Sequence, residues 1–367
     1  IFFSLLLAGC GDKTPEPPVA VQEPVAQEAQ AGIPKYSAEA FFETTSYGLA
    51  GYGGFAFSPD GKKLLITSDE TGVFNAYALP LDGGPAQQLT GSVDNAMFAL
   101  TWFPNDERIL YTYDNGGNEL NHVIVREADG TLRDLTPGEN LKASFLGWHE
   151  DGGSLYLLTT ERNQQSFDVY RYSAAAYSRE MVFENPGFQV GAISADGRWL
   201  ALDKPRTSAD SDIYVVDLHA DAPEPKLVTA HQGNVAHSTY AISPDSTTLI
   251  YSTNEHGEFN QAWMMYLENG DKAPLVQADW DVSFVSFSPS AQYMVQGVNA
   301  DARTEVTILD VGGNGAAISL PALPPGDLRN VRFNADETEV ALIVNADNSP
   351  SNIFHVDLEA GTARQLT

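Results

Sequence analysis

The chain has 367 residues, with 49 Asp or Glu against 20 Lys or Arg, which gives a formal net charge of −29 at pH 7. Such an acidic surface repels phosphate backbones, so we expect no nucleic-acid partner and attribute the charge to a solvated, aggregation-resistant surface. The single cysteine, Cys10, excludes an internal disulfide and any cysteine-rich metal site.

The first ten residues are apolar and end in Leu7-Ala8-Gly9-Cys10. This ending resembles the bacterial lipobox, in which a lipid is attached to the cysteine sulfur and the preceding segment is cleaved. Residues 1–10 are therefore predicted to be the remnant of a lipoprotein signal peptide, with Cys10 as the lipidation site. The alternative is an incidental cysteine at a frayed terminus. A lipid at Cys10 predicts a protein that is anchored to a membrane without spanning it, on the periplasmic side of the cell envelope or at the cell surface. Gly11 after the cysteine favours the outer membrane.

Residues 11–35 are rich in Pro, Glu, Gln and Ala and contain almost no large apolar side chains. Such a segment cannot bury enough surface to offset the entropy of ordering it. We predict a disordered tether between the anchor and the folded body.

A short turn motif recurs seven times at intervals of 45 to 49 residues. The motif follows an apolar run and is centred on Asp60, Asn105, Asp151, Asp196, Asp245, Ser290 and Asp336. A repeat of this length with several short strands in each unit is typical of propeller blades. Residues 36–367 are therefore predicted to form an all-β, seven-bladed β-propeller of four-stranded antiparallel blades.

The first repeat shows the expected strand order. Residues 55–57 are predicted to form the inner strand, residues 64–67 the second, residues 75–79 the third and residues 87–90 the outer strand. When the strands of every repeat are assigned in this order, blade one starts with its inner strand and blade seven ends with its outer strand. We therefore expect a ring in which the first and last blades share no sheet, latched at most by residues 40–45.

Several segments are more specific than the repeat itself. They read SDETGVFNAY at 68–77, GGNELNH at 116–122, DLTPGE at 134–139 and SFLGW at 144–148. These segments resemble the N-terminal propeller of bacterial serine peptidases of the prolyl oligopeptidase family, of the acylaminoacyl peptidase or dipeptidyl aminopeptidase type. The resemblance extends from about residue 41 to residue 367.

In that family the propeller covers an α/β-hydrolase domain that carries a serine in a Gly-x-Ser-x-Gly elbow, followed by an aspartate and a histidine. The sequence contains no such elbow, because Ser194 in Gly191-Ala192-Ile193-Ser194 has the wrong spacing and precedes a turn. The resemblance thus implies a C-terminal hydrolase domain as partner, a short peptide as substrate and no catalytic residue in this chain. By itself the chain should be inactive.

The loops between second and third strands are expected on one face of the ring, where function usually resides. Glu70, Glu119 and Arg162 in these loops are candidates for contacting a peptide terminus or the hydrolase domain. The alternative for each is an ordinary solvated charge. Residues 114–119 offer oxygen ligands around glycines but lack the spacing of an EF-hand, and the histidines form no zinc motif, so no metal or other cofactor is predicted.

The sequence favours the substrate-gating and docking propeller of a cell-envelope serine peptidase that cleaves short peptides. The alternative is a stand-alone propeller lipoprotein that binds proteins or envelope polymers, as the propeller of the Tol system does. A propeller acting as a small-molecule enzyme has no residue constellation to support it.

Overall fold

The computed structural model describes residues 35–51 and 53–367. The predicted lipidation site Cys10 lies outside the described residues, as does nearly all of the tether. Residues 44–367 form one compact unit that contains all the strands found in the described part of the chain. The described part of residues 1–43 contains the 3₁₀ helix Glu39–Phe41, so residues 40–45 contribute no latching strand. The described residues include no helix long and apolar enough to cross a membrane.

The described residues form twenty-seven strands, which follow one another as a repeated antiparallel meander. In chain order they are β1 Tyr47–Leu49, β2 Lys63–Ser68, β3 Asn75–Pro80, β4 Gln87–Gln88, β5 Met97–Trp102, β6 Ile109–Tyr113, β7 His122–Arg126, β8 Leu132–Asp134, β9 Ala143–Trp148, β10 Ser154–Thr159, β11 Asp168–Ser173, β12 Arg179–Phe183, β13 Gln189–Ile193, β14 Trp199–Thr207, β15 Asp210–Asp217, β16 Lys226–Leu227, β17 His237–Ile242, β18 Thr248–Thr253, β19 Gln261–Tyr266, β20 Lys272–Val276, β21 Asp281–Phe287, β22 Tyr293–Ala300, β23 Arg303–Asp310, β24 Asp327–Phe333, β25 Glu339–Ala346, β26 Ser349–Asp357 and β27 Thr362–Gln365.

The strands form seven sheets, and each sheet uses only consecutive strands. Six sheets have four strands, whereas the sixth has three and a bridge between Leu309 and Ala317 at the position of the fourth. The prediction of a seven-bladed propeller is confirmed. Among the described strands, those of the first and last blades share no sheet, as the order of strands predicted.

The inner strand of blade one differs from its prediction. Regular pairing with β2 occurs at Tyr47–Leu49, while Phe57 within the predicted strand 55–57 makes only an isolated bridge to Leu64. Between Leu49 and Phe57 the chain bonds to a neighbouring blade instead of its own. Gly51 N donates to Leu100 O (2.8 Å) on the inner strand of blade two. Gly53 has φ +71°, and a Cβ there would lie 2.9 Å from Leu146 O of blade three. The glycines therefore allow this segment to cross onto two neighbouring blades.

The recurring turn joins the first and second strands through side-chain hydrogen bonds. In blade one, Ser58 Oγ donates to Asp60 Oδ1 (2.6 Å) and accepts from Lys63 N (3.0 Å). Gly61 closes the turn with φ +69°, a conformation that glycine adopts without a steric penalty. Ser194 makes the same bonds in blade four, to Asp196 and from Trp199 N. Its hydroxyl is thus part of a turn, as the sequence indicated.

Threonines at the outer edge of the blades have a related structural role. The hydroxyls of Thr90, Thr136, Thr229 and Thr367 each accept a hydrogen bond from a backbone N–H of the third strand in the same blade, at 2.7 to 3.0 Å. Thr136 is fully buried, and its partner is Val123 N. These bonds satisfy third-strand donors at the point where the outer strand has stopped pairing. They account for the Leu-Thr pairs at residues 89–90, 135–136 and 366–367, which end three of the blades.

Apolar side chains fill the spaces between adjacent blades and close the ring. In blades two and three, Phe103 and Trp148 pack edge to face with ring centroids 4.9 Å apart. Between blades one and seven, Ile66 and Ile353 belong to one buried cluster, and Arg364 Nη1 donates to Leu81 O (3.1 Å). The ring is thus closed by side-chain packing and local hydrogen bonds instead of a shared sheet.

Candidate functional site

The loops between second and third strands lie on the same face of the ring as the connections between blades, because strand direction alternates along each meander. Direct contacts join the two kinds of loop. For example, Gly116 N in the loop of blade two donates to Asn95 Oδ1 (2.9 Å) in the connection from blade one. We call this surface the loop face. All three residues that the sequence singled out lie on it.

Glu70 is exposed in the loop that joins β2 to β3. Its backbone N–H donates to Ser68 Oγ (3.2 Å), which orients the loop. Burial raises the pKa of the nearby Tyr47 hydroxyl, and the negative charge of Glu70 adds to that effect. Glu70 therefore presents an accessible carboxylate on blade one.

Glu119 is exposed in the loop of blade two and has φ +59°, an unusual backbone conformation for a residue with a side chain. Its N–H donates to Asp114 Oδ2 (2.8 Å), and Asn118 Oδ1 accepts from Leu120 N (3.0 Å). The side-chain oxygens of this loop thus bind the loop's own backbone. Among the described residues, no group of three or more His, Cys, Asp or Glu side chains is arranged to hold a metal ion.

Arg162 on blade three is committed to an ion pair within its own blade. Its Nε and Nη2 donate to the two carboxylate oxygens of Asp168, both at 2.8 Å, and Asp168 is fully buried. Glu184 Oε1 lies 3.3 Å from Nη1. Hydrogen bonding to Asp168 raises the pKa of the Arg162 guanidinium. The geometry gives Arg162 a structural role in holding the loop, with only part of its guanidinium facing solvent.

The three candidates occupy successive blades and do not converge. Within the part of the chain that the structure describes, no hydrogen bond or ion pair joins any two of them. Glu70 and Glu119 remain free to meet a partner, whereas Arg162 is already paired. These three residues alone therefore do not form a binding site.

A groove on the loop face of blades two to four brings together residues from several loops. It consists of two adjoining cavities of about 520 and 340 Å³ that share Phe167. The lining residues are Leu120, Asn140, Lys142, Ser144, Leu158, Thr160, Gln164, Gln165, Phe167, Gly187, Phe188, Gln189, Val190, Lys204 and Pro205. Cavities of this size are typical of small-ligand sites. We call this feature the Phe167 groove.

Sequence reasoning missed the Phe167 groove because its residues come from three blades and from several loops. Lys142 lies just before β9, Phe167 just before β11, and Lys204 within β14. A lysine is uncommon in this acidic chain, so basic residues on the loop face were the one available signal. The sequence could not indicate which lysines line the same groove.

A second cluster of charged side chains lies at the loop end of β14 and β15. The Arg206 guanidinium donates to both Asp210 oxygens (2.7 Å each) and to Asp212, and contacts His231 Nε2 (2.9 Å). The ring of His231 lies 5.3 Å from that of His237, whose two nitrogens have no hydrogen-bond partner among the described residues. Here a single guanidinium pairs with both carboxylates and offsets one of their two negative charges.

A sequence profile of the N-terminal β-propeller domain of prolyl oligopeptidase matches residues 92–367, which is most of the chain. YuxL, an uncharacterised peptidase of Bacillus subtilis strain 168, is 26% identical over 166 residues. That alignment covers 44% of this chain and 23% of YuxL.

Solved structures show the same fold at low sequence identity. A prolyl endopeptidase superimposes with a TM-score of 0.66 at 13% identity, over 88% of this chain and 50% of its own. An oligogalacturonate lyase from Vibrio parahaemolyticus gives 0.62 at 16% identity, over 87% of this chain and 92% of its own. TolB from Acinetobacter baumannii gives 0.49 at 12% identity, over 81% and 75%, which is too weak a likeness to support an argument. The chain spans about half the length of the prolyl endopeptidase and about a quarter of YuxL.

Proposed function

Because this chain belongs to the prolyl oligopeptidase family through its N-terminal β-propeller domain, we propose that it is the substrate-gating and docking propeller of a cell-envelope serine peptidase that cleaves short peptides. The observation that carries the proposal is the match of the family profile over residues 92–367. The sequence contains no Gly-x-Ser-x-Gly elbow, so hydrolysis is assigned to an α/β-hydrolase domain following in the same protein.

The direction of the outer strand β27 supports a docking role for the loop face. Thr367 follows β27, which runs toward the loop face, and its Oγ1 accepts from Ile353 N (2.8 Å) and lies 3.4 Å from Asn352 Oδ1, in the middle of β26. A hydrolase domain that continued the chain would therefore meet the loop face first. The exposed carboxylates of Glu70 and Glu119 are available there for a partner domain or the amino terminus of a peptide.

The stiffness of a propeller supports the proposed gating role. Seven blades that pack through buried apolar clusters form a stiff ring, and such a ring above an active site admits short flexible chains and excludes folded ones. The chemistry would be amide hydrolysis through an acyl-enzyme formed on the serine of the hydrolase domain. The propeller itself would contribute binding and access.

The first test is the coding sequence downstream of Thr367. We expect roughly 250 further residues with Gly-x-Ser-x-Gly, then Asp, then His, which is the size of one α/β domain. A stop codon directly after Thr367 would overturn the proposal and leave a stand-alone propeller lipoprotein.

The second test measures gating in the whole protein. We expect it to cleave short chromogenic peptides and to leave a folded protein intact, with cleavage abolished when the elbow serine is replaced by alanine. Equal cleavage of folded protein and short peptide would contradict the gating role. A membrane fractionation of cells that express the whole protein tests its proposed envelope location.

A further inference from the structure

We propose that the Phe167 groove binds an extended peptide segment through carboxylate groups on that peptide. The inference rests on the peptidase function proposed above and specifies the substrate class, because it favours peptides that carry Glu, Asp or a free carboxyl terminus. It assigns Lys142 and Lys204 as the cations that contact the carboxylates.

The charge of the groove is opposite to that of the protein. Its two charged lining residues are Lys142 and Lys204, and none of the lining residues is Asp or Glu. In the whole chain acidic residues outnumber basic ones by 49 to 20. The groove is therefore a locally positive site in a strongly negative surrounding, which draws carboxylates to it and away from the rest of the surface.

Both lysines have donors to offer. Lys142 is half-buried, and its ammonium has no hydrogen bond or ion pair within residues 35–51 and 53–367. Lys204 Nζ donates once, to Gly187 O (2.8 Å), and lies 5.0 Å from the centre of the Phe188 ring. An ammonium carries three donors, so Lys204 retains two. The contact with Gly187 also fixes the direction in which Lys204 points.

The remaining lining suits an extended peptide. Phe167 belongs to both cavities and provides an apolar surface for side chains between the two lysines. Gln165 and Gln189 are exposed in the larger cavity, and their amides can both donate to and accept from a peptide backbone. Two separated cations with amides and an aromatic ring between them match a chain with spaced carboxylates better than one compact anion.

The test uses the 367-residue chain and two dansyl-labelled hexapeptides that differ only in having two glutamates or two glutamines. Binding is measured by fluorescence anisotropy at low ionic strength. We expect the glutamate peptide to bind at least threefold more tightly, and the difference to shrink as salt is added. Lys142→Met should weaken its binding about two- to fivefold, the range for ion pairs at partly exposed sites, and Lys142→Arg should restore it.

Lys226→Met is the matched control, because Lys226 is exposed on the outer strand β16 of blade four. It removes the same charge and should leave peptide affinity unchanged. The proposal is overturned if neither peptide binds, if both bind equally, or if Lys226→Met weakens binding as much as Lys142→Met does.

These outcomes are separable from those for the proposed function. If Lys142→Met has no effect while the whole protein cleaves short peptides, the groove assignment fails and the peptidase function stands. If no hydrolase domain is encoded but lysine-dependent binding is observed, the peptidase function fails and the groove remains a peptide-binding site. Circular dichroism of each variant verifies that the propeller is folded.

Discussion

Replacement of the buried His237 tests whether a buried imidazole without a hydrogen-bond partner among the described residues limits the acid stability of this propeller. His237 is 3% exposed at the start of β17, and both ring nitrogens are without a hydrogen-bond partner among the described residues. The pKa of the His237 imidazole is lowered from 6.5 to about 4, chiefly by burial and in smaller part by the neighbouring His231. Lys272 acts in the same direction, whereas Glu255 and Asp212 oppose the shift.

The sign of the pH effect follows from this shift. The folded protein holds His237 neutral, while the unfolded chain protonates it below pH 6.5. The contribution of His237 to stability is therefore fully present above pH 6.5 and is lost as the pH falls toward 4. With about 1.4 kcal/mol per pKa unit, the loss is about 2 kcal/mol at pH 5 and about 3 kcal/mol below pH 4.

The assay compares His237→Phe with the unmodified chain by urea unfolding at pH 7.5 and pH 5, followed by tryptophan fluorescence. The many carboxylates also respond to pH, but they are common to both proteins and cancel in the difference. We expect the free energy of unfolding of the variant, relative to the parent, to rise by about 2 kcal/mol between the two pH values. If the difference in free energy of unfolding between the variant and the parent is the same at both pH values, the reasoning is refuted. His219→Gln, which removes an exposed histidine, is the control for the loss of a histidine side chain.

Four further predictions address the ring and its anchor. Thr136→Val should lower the free energy of unfolding by about 1 to 3 kcal/mol, measured by urea unfolding, because Val123 N loses its acceptor in a buried site; Thr362→Val, at an exposed site, should have little effect. Gly54→Ala should cost about 1 to 3 kcal/mol in the same assay, because a Cβ there would lie 2.4 Å from Thr101 Oγ1. Cys10→Ala should move the whole protein from the membrane to the soluble fraction of cells; unchanged fractionation would contradict lipidation. Amide hydrogen exchange should be faster in blades one and seven than in the central blades, and equal rates would show that ring closure is no weak point.

The repeat could be predicted from sequence because its signals are local. Ser58 and Asp60 bond within their own turn, and Gly61 supplies the positive φ that the turn requires. The third strand of blade one is predicted at residues 75–79, and β3 spans Asn75–Pro80. Interactions of this kind depend on residues close in sequence, so a linear pattern records them.

The inner strand of blade one could not be predicted in the same way. Residues 55–57 alternate like a strand, yet the hydrogen bonds of this region are shared with blades two and three. Phe55 N donates to Thr101 Oγ1 (2.8 Å), which also accepts from Trp148 Nε1 (3.2 Å). The partners lie about 45 and 90 residues away, so nothing in the local pattern indicates them.

The sequence by itself determined the number of blades, the family and the lack of a nucleophile elbow, because each is written in local motifs or in their spacing. It also directed attention to the loop face, since the order of strands fixes which loops share an edge. Only the tertiary structure decided which charges on that face are available. Arg162 is paired with a buried Asp168, while Lys142 is not paired among the described residues. The physical reason is that the availability of a charge depends on which neighbours packing brings within hydrogen-bond distance, and those neighbours come from other strands and other blades.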